Sequence, residues 1–195
     1  DYLNYLLCGV AANEYTNAST TALVGANSKD WDNELIEKLG LPRGIFQPIK
    51  TAGIMLGHLT PEVQAKVGFD AEVILPATHD TGSAFLAVTA RDEFAAYLSS
   101  GTWSLLGTEL DTPILTADSC QSGLSNELGA NGKINYLKNI IGLWLIQELK
   151  RNLAEQGYKY SYNDLECMAR ESQPFKFFID PDAPELSRHD KIGRA

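Results

Sequence analysis

Residues 72–84, Glu72-Val73-Ile74-Leu75-Pro76-Ala77-Thr78-His79-Asp80-Thr81-Gly82-Ser83-Ala84, pass from an apolar run through a polar turn into a run of small residues. Val73-Ile74-Leu75 predicts a buried strand, and Gly82 to Ala90 predicts a helix of small residues that packs closely on a sheet. Strand ends of this kind form the crevices where open α/β sheets hold ligands. The acid placed there, Asp80, can cap the helix, bind a metal or take a proton from a hydroxyl group.

Working outward from this turn, the chain is long enough at 195 residues to bury a sizeable core, as one large domain or two modest pieces. Its net charge of −9 argues against a nucleic-acid partner, because phosphate backbones are held by clustered Lys and Arg. Backbone amides and a metal ion can still hold an anion. No apolar run reaches transmembrane length and no signal-peptide pattern opens the chain, so no membrane partner is expected. Cys8, Cys120 and Cys167 are odd in number and widely spaced, which predicts packed thiols in a reducing cytoplasm and no zinc site. The chain opens without Met inside the apolar segment Tyr2 to Leu7, and it stops at Gly193-Arg194-Ala195 without a closing element. Both ends read as cuts in a longer protein.

Residues 2–8 read as the end of a helix stopped by Gly9, and the polar run Glu14 to Thr21 as a loop or site wall. A helix from Trp31 to Leu39 is expected, capped by Ser28-Lys29-Asp30, with Leu35, Ile36 and Leu39 on one face. Thr60 and Pro61 predict a short helix that ends at Gly68. The charged break Arg91-Asp92-Glu93 marks the expected domain boundary. Beyond it, Phe94 to Ser99 and Trp103 to Leu110 predict a hairpin around Ser100-Gly101-Thr102. A second meander is expected around Gly129, Asn131 and Gly132. Ile140 to Leu153 follows as a helix with the stripe Ile141, Trp144, Leu145, Leu149 and Leu153, closed by Gly157.

Three places can carry chemistry. Asp80 is either an N-cap or a general base, and a helix N-terminus keeps such a carboxylate ionised and weakly basic. His79 reads as a hydrogen-bonding wall, since only His58 and His189 accompany it and a histidine-rich metal site needs more. The turn Ser99-Ser100-Gly101-Thr102 is a tight hairpin or a cradle of amides and hydroxyls suited to phosphate. In Lys138 to Gln147, Asn139 either caps the long helix or shares one side of it with Gln147 as the polar edge of a nucleotide site. Gly142 there permits the close approach of a ligand or a neighbouring backbone. The carboxylates Glu109, Asp111 and Glu127 suggest a paired-acid glycosidase only weakly, because nothing fixes their separation.

Four segments occur in one order: Glu14-Tyr15-Thr16-Asn17-Ala18, the His79-Asp80-Thr81-x-Ser83-Ala84 turn, Tyr97-Leu98-Ser99-Ser100-Gly101-Thr102-Trp103-Ser104, and Leu137-Lys138-Asn139-Ile140-x-Gly142-Leu143-Trp144. Together they closely resemble the FGGY family of carbohydrate kinases, and within it the kinases of L-rhamnulose, from near Asp1 to at least Gln147. The resemblance implies an α/β chain of the actin-like, ribonuclease-H-like ATPase fold with parts of two domains. Residues 1–90 would be the C-terminal part of the sugar-binding domain, and residues 91–195 the N-terminal part of the ATP-binding domain. By the same resemblance, Asp80 takes the proton from the sugar's C1 hydroxyl, and His79 and Thr81 contact the sugar. Thr102 lies at the ATP phosphates, with Asn139 and Gln147 as further ATP contacts. The implied reaction converts ATP and L-rhamnulose to ADP and L-rhamnulose 1-phosphate with Mg²⁺ on the phosphates.

One departure is Asn126-Glu127-Leu128-Gly129, where the resembling kinases tend to carry a second glycine in place of Leu128. The family's N-terminal phosphate loop and its late Gly-rich adenosine segment have no counterpart here, so the piece alone is expected to be inactive. L-fuculose is the alternative substrate. A non-catalytic actin-like nucleotide-binding module is the alternative class, and an HD-type metal phosphohydrolase would need more His and Asp ligands.

Overall fold

The structure is a computed structural model that describes residues 1–90, 92, 94–130 and 132–187. Arg91 and Glu93 of the expected boundary, Asn131 of the second meander, His189 and the last residues lie outside the described residues. The chain divides into two compact units, Asp1–Tyr97 with Gly107–Lys138, and Leu98–Leu106 with Asn139–Ala195.

In the first unit, α1 (Tyr2–Cys8) ends at Gly9, whose φ of 74° lets its amide reach back to Tyr5 O, as expected. The polar run expected as a loop instead forms β1 (Asn13–Glu14) and α2 (Tyr15–Ser19), because the Glu14 side chain caps that helix. A further helix, α3 (Asn33–Lys38), starts later than expected. Asp32, not Ser28-Lys29-Asp30, accepts its first free amide, Leu35 N. Ile36 is buried while Leu39 is exposed.

β1 pairs in parallel with β2 (Ile49–Lys50). Next come β3 (Met55–His58) and α4 (Pro61–Val67), the latter capped by the Thr60 hydroxyl on Val63 N and stopped by Gly68 at φ 83°. Thr60, Pro61 and Gly68 thus act as the sequence predicts. β4 (Glu72–Ile74) pairs antiparallel with β3 and leads into α5 (Asp80–Ala87), which begins two residues before Gly82. The expected hairpin appears as β5 (Tyr97–Ser100) and β6 (Trp103–Leu110), with its first strand starting three residues later than Phe94. After α6 (Ala117–Gln121), β7 (Leu124–Leu128) and β8 (Ile134–Ile141) pair antiparallel from Leu124↔Lys138 to Leu128↔Ile134. These last four strands have the order β5-β6-β8-β7.

Two apolar clusters hold the first unit together. Tyr15, Leu128 and Ile134 pack with Val24, Ile49 and Leu110, and Ala18, Trp31 and Ile36 pack with Leu23 and Phe46. Each large aliphatic side chain buried in this way contributes about 1.5–3 kcal/mol. Leu128, the departure from the resembling kinases, therefore fills the core at the end of a strand and not a loop.

The second unit contains α7 (Trp144–Glu155) and α8 (Tyr162–Glu171), which a Ser161–Asp164 capping box starts. The expected helix from Ile140 is corrected, since Asn139, Ile140 and Ile141 belong to β8 and the chain turns only at Gly142. The deepest side chains of α7 are Glu148 and Asn152, with its leucines half-buried. Among the described residues, no helix is long and apolar enough to cross a membrane. Cys8 is half-buried, whereas Cys120 and Cys167 are exposed, so two of the three expected packed thiols lie at the surface.

Candidate functional site

The turn between β4 and α5 is built around a buried carboxylate. Glu14 is fully buried and receives five hydrogen bonds: from Thr16 N and Oγ1, Asn17 N, and Thr78 N and Oγ1. Each neutral donor offsets part of the cost of taking this charge out of water, and two of them are first-turn amides of α2. The Thr16 hydroxyl then accepts the His79 amide at 3.2 Å, so one acid fixes Thr78 directly and His79 through Thr16. Gly82 lets α5 close on α2. A Cβ at that position would meet Thr16 Cβ at 3.1 Å.

This scaffold delivers His79, Asp80 and Thr81 in one turn. The N-cap reading of Asp80 is corrected, because His79 occupies the cap position and Asp80 is the first helical residue. The Asp80 side chain is 97% exposed, with Oδ1 held at 2.7 Å by Thr81 N and at 3.5 Å by Thr81 Oγ1. Thr81 itself is buried. Exposed at the start of α5, this carboxylate is open to a hydroxyl brought to it and can accept its proton.

His79 stands between two carboxylates. Its Nε2 lies 3.6 Å from Asp80 Oδ1 and its Nδ1 lies 3.4 Å from Glu127 Oε2. Burial pushes the Glu127 carboxyl above the usual glutamate range, with His79 drawing it back and Asp80 pushing it further up. In the sequence Glu127 stands out only as one of three candidate glycosidase acids and as part of the Asn126-Glu127-Leu128-Gly129 departure. The other two acids of that reading have separate partners, Glu109 accepting from Tyr97 Oη at 3.0 Å and Asp111 pairing with Lys133. Glu127 lies far along the chain from Asp80, and β7 reaches the turn by docking on α2, where Leu128 N donates to Ser19 Oγ at 3.1 Å and Leu128 packs on Tyr15.

The second unit holds the remaining predicted residues. The Gly101-Thr102 turn is clamped to residues 142–144 by three backbone hydrogen bonds: Gly142 N and Trp144 N to Thr102 O, and Leu143 N to Gly101 O. A Cβ on Gly142 would sit 2.4 Å from Ser104 Oγ and 2.7 Å from Gly101 O, so this glycine admits a neighbouring backbone. Thr102 and Asn139 are exposed at the turn and on β8, and Gln147 is half-buried on α7. Asn139 and Gln147 therefore do not share a helix, which corrects that part of the expectation.

Solved structures of similar fold are sugar and polyol kinases. The xylulose kinase of Lactobacillus acidophilus matches with a TM-score of 0.72 at 19% identity, over 88% of this chain and 34% of that one. The glycerol kinase of Plasmodium falciparum with ADP matches with a TM-score of 0.68 at 17% identity, over 87% and 34%. The mixed α/β architecture is accordingly that of the actin-like ATPase fold, with parts of two domains present. Two family models match in order: the N-terminal domain of the FGGY family of carbohydrate kinases over residues 1–87, and the C-terminal domain of that family over residues 96–191. The chain belongs to the FGGY family of carbohydrate kinases. It is 47% identical to the rhamnulokinase of Oceanobacillus iheyensis over 93% of its own length and 38% of that protein's. Against the rhamnulokinase of Bacillus subtilis it is 42% identical over 92% and 37%. The chain thus spans less than two-fifths of the length of these curated relatives.

Proposed function

We propose that this chain is the central part of an ATP-dependent kinase that phosphorylates the C1 hydroxyl of L-rhamnulose in the cytoplasm. The observation that carries this reading is the identity to rhamnulokinases along nine-tenths of the chain. In the proposed arrangement, residues 1–90 close the sugar-binding domain and residues 91–195 open the ATP-binding domain. Asp80 takes the C1 hydroxyl proton as that oxygen bonds to the γ-phosphorus and ADP leaves. A loose phosphoryl-transfer transition state asks only modest basicity of this group, which suits an exposed carboxylate at a helix start. His79 faces the sugar through its imidazole, and Thr81 acts on the sugar side by holding Asp80 Oδ1.

Thr102 presents its turn to the ATP phosphates, with Asn139 and Gln147 as further contacts to the nucleotide. Among the described residues no cluster of three or more His, Cys, Asp or Glu side chains could hold a metal ion, so Mg²⁺ would be carried on the ATP phosphates. When bound with ATP, the ion neutralises phosphate charge. The 195 residues alone span too little of the family length to complete both sites, and they are expected not to turn over.

The test is an assay of the full-length polypeptide that carries this segment, with ATP and a panel of ketoses. Highest kcat/KM on L-rhamnulose supports the reading. Preference for L-fuculose or another ketose removes the substrate assignment, and nucleotide binding without transfer to any sugar replaces the kinase by a non-catalytic module.

A further inference from the structure

Glu127 Oε2 is a buried oxygen with no hydrogen-bond partner among the described residues, although it lies 3.4 Å from His79 Nδ1. The contact has the distance of an ion pair without the alignment of a hydrogen bond. Both side chains are largely enclosed, Glu127 being 15% and His79 20% exposed. The β7–β8 register sets Asn135 directly opposite Glu127, and Asn135 is also buried with both amide atoms unpartnered. This strand pair thus buries two polar side chains at one register position, Glu127 with an oxygen toward the His79 imidazole, where apolar ones would pack at less cost.

We propose that Glu127 is a positioning residue that holds the His79 proton on Nδ1 and leaves Nε2 free to accept a hydrogen bond from a sugar hydroxyl beside Asp80. The two carboxylates flanking the ring compete for its proton on unequal terms. Asp80 is 97% exposed and solvated by water, whereas Glu127 is enclosed and otherwise lacks a donor for Oε2. An unsatisfied buried acceptor gains more from the N–H than a solvated one does. The tautomer of a neutral imidazole is fixed by the hydrogen bond one ring nitrogen makes, and with Nδ1–H turned to Glu127 the lone pair of Nε2 lies on the Asp80 side. Hydrogen bonds of this kind are often long in a ligand-free site and tighten on binding.

The proposal deepens the kinase reading and rests on it for the identity of the sugar, so its test has an arm independent of turnover. In the ¹⁵N-labelled full-length polypeptide, long-range ¹H–¹⁵N spectra report the His79 tautomer, with the signal assigned by its loss in His79→Gln. The expected result is protonation at Nδ1 in the neutral ring, kept in Glu127→Gln and lost to Nε2 in Glu127→Ala. In steady-state assays Glu127→Ala lowers kcat/KM for the sugar about 10–100-fold, the cost of a misdirected binding group, and leaves the KM for ATP unchanged. Glu127→Gln recovers most of that loss. A neutral Nε2–H ring in the unmutated protein overturns the proposal, as does a Glu127→Ala enzyme with unaltered sugar kinetics. If Glu127→Ala does not fold, the spectrum of the unmutated protein decides. If no sugar is phosphorylated, the kinase reading falls and the tautomer still decides the Glu127–His79 relationship.

Discussion

Glu14 Oε2 accepts the backbone amide of Thr78 at 3.0 Å across 64 residues of chain, and it is through this bond that α2 and the Asp80 turn become one object. The same oxygen takes the Thr78 hydroxyl at 3.1 Å, and Thr16 relays the connection to the His79 amide. The placement of Asp80 is thus decided by an acid that touches no ligand in the proposed reaction.

Glu14→Ala leaves the amides of Thr16, Asn17 and Thr78 without their acceptor in a buried place. Its expected cost is on the order of 3–5 kcal/mol in urea unfolding, at the upper end for single substitutions. Glu14→Gln keeps the shape but turns an NH₂ group toward the same donors, so it should recover little. A loss below about 1 kcal/mol for Glu14→Ala would mean that water replaces the carboxylate easily.

Gly142→Ala forces a methyl group to within 2.7 Å of Gly101 O and 2.9 Å of Ser104 N, which cannot rotate away as a side chain can. Overpacking of this kind costs about 1–3 kcal/mol, and the three bonds that clamp the Gly101-Thr102 turn should open with it. The expected signature is a lower Tm together with a raised KM for ATP. Gly107→Ala, whose Cβ would meet Tyr136 O at 2.3 Å, should lower Tm without the specific effect on ATP.

The raised pKa of Glu127 makes a prediction about pH. Burial favours its protonated form in the folded protein, so its contribution to stability is complete below the pKa it has when unfolded. That contribution is lost as pH rises through the higher folded value. Between about pH 4 and pH 7 the stability difference between Glu127→Gln and the unmutated protein should therefore move in favour of the variant. Urea titrations of both proteins at the two pH values measure it, and a trend in the opposite direction would show the His79 contact outweighing burial.

What the sequence disclosed and what it hid divide along the range of the interactions. Helix α4 is legible in full because Thr60, Pro61 and Gly68 act on their own neighbours. The Thr78–Ser83 turn is legible for the same reason, down to its strand-to-helix sense. The 14–21 segment is not, since its polar residues look solvated until Thr78, far along the chain, supplies two of the five hydrogen bonds that let Glu14 be buried. At Asn139 to Ile141 an apolar run continues smoothly from strand into helix, so periodicity assigns it to the helix. The break comes at Gly142, whose reason is the backbone of another turn. Glu127 escapes notice because nothing local separates a strand glutamate at the surface from one facing an imidazole. Its direction shows only in the contact with His79, a residue far away in the chain.

The central claim is that Asp80 is the base, and Asp80→Asn in the full-length polypeptide tests it most directly. The side chain is almost wholly exposed and its held oxygen survives the change, so the fold and the sugar site should persist. Calorimetric binding of L-rhamnulose together with kcat in a coupled ADP assay is the measurement. The account predicts sugar affinity retained and kcat reduced about 10²–10⁴-fold, the usual worth of a positioned proton acceptor. Unchanged turnover in Asp80→Asn would contradict it.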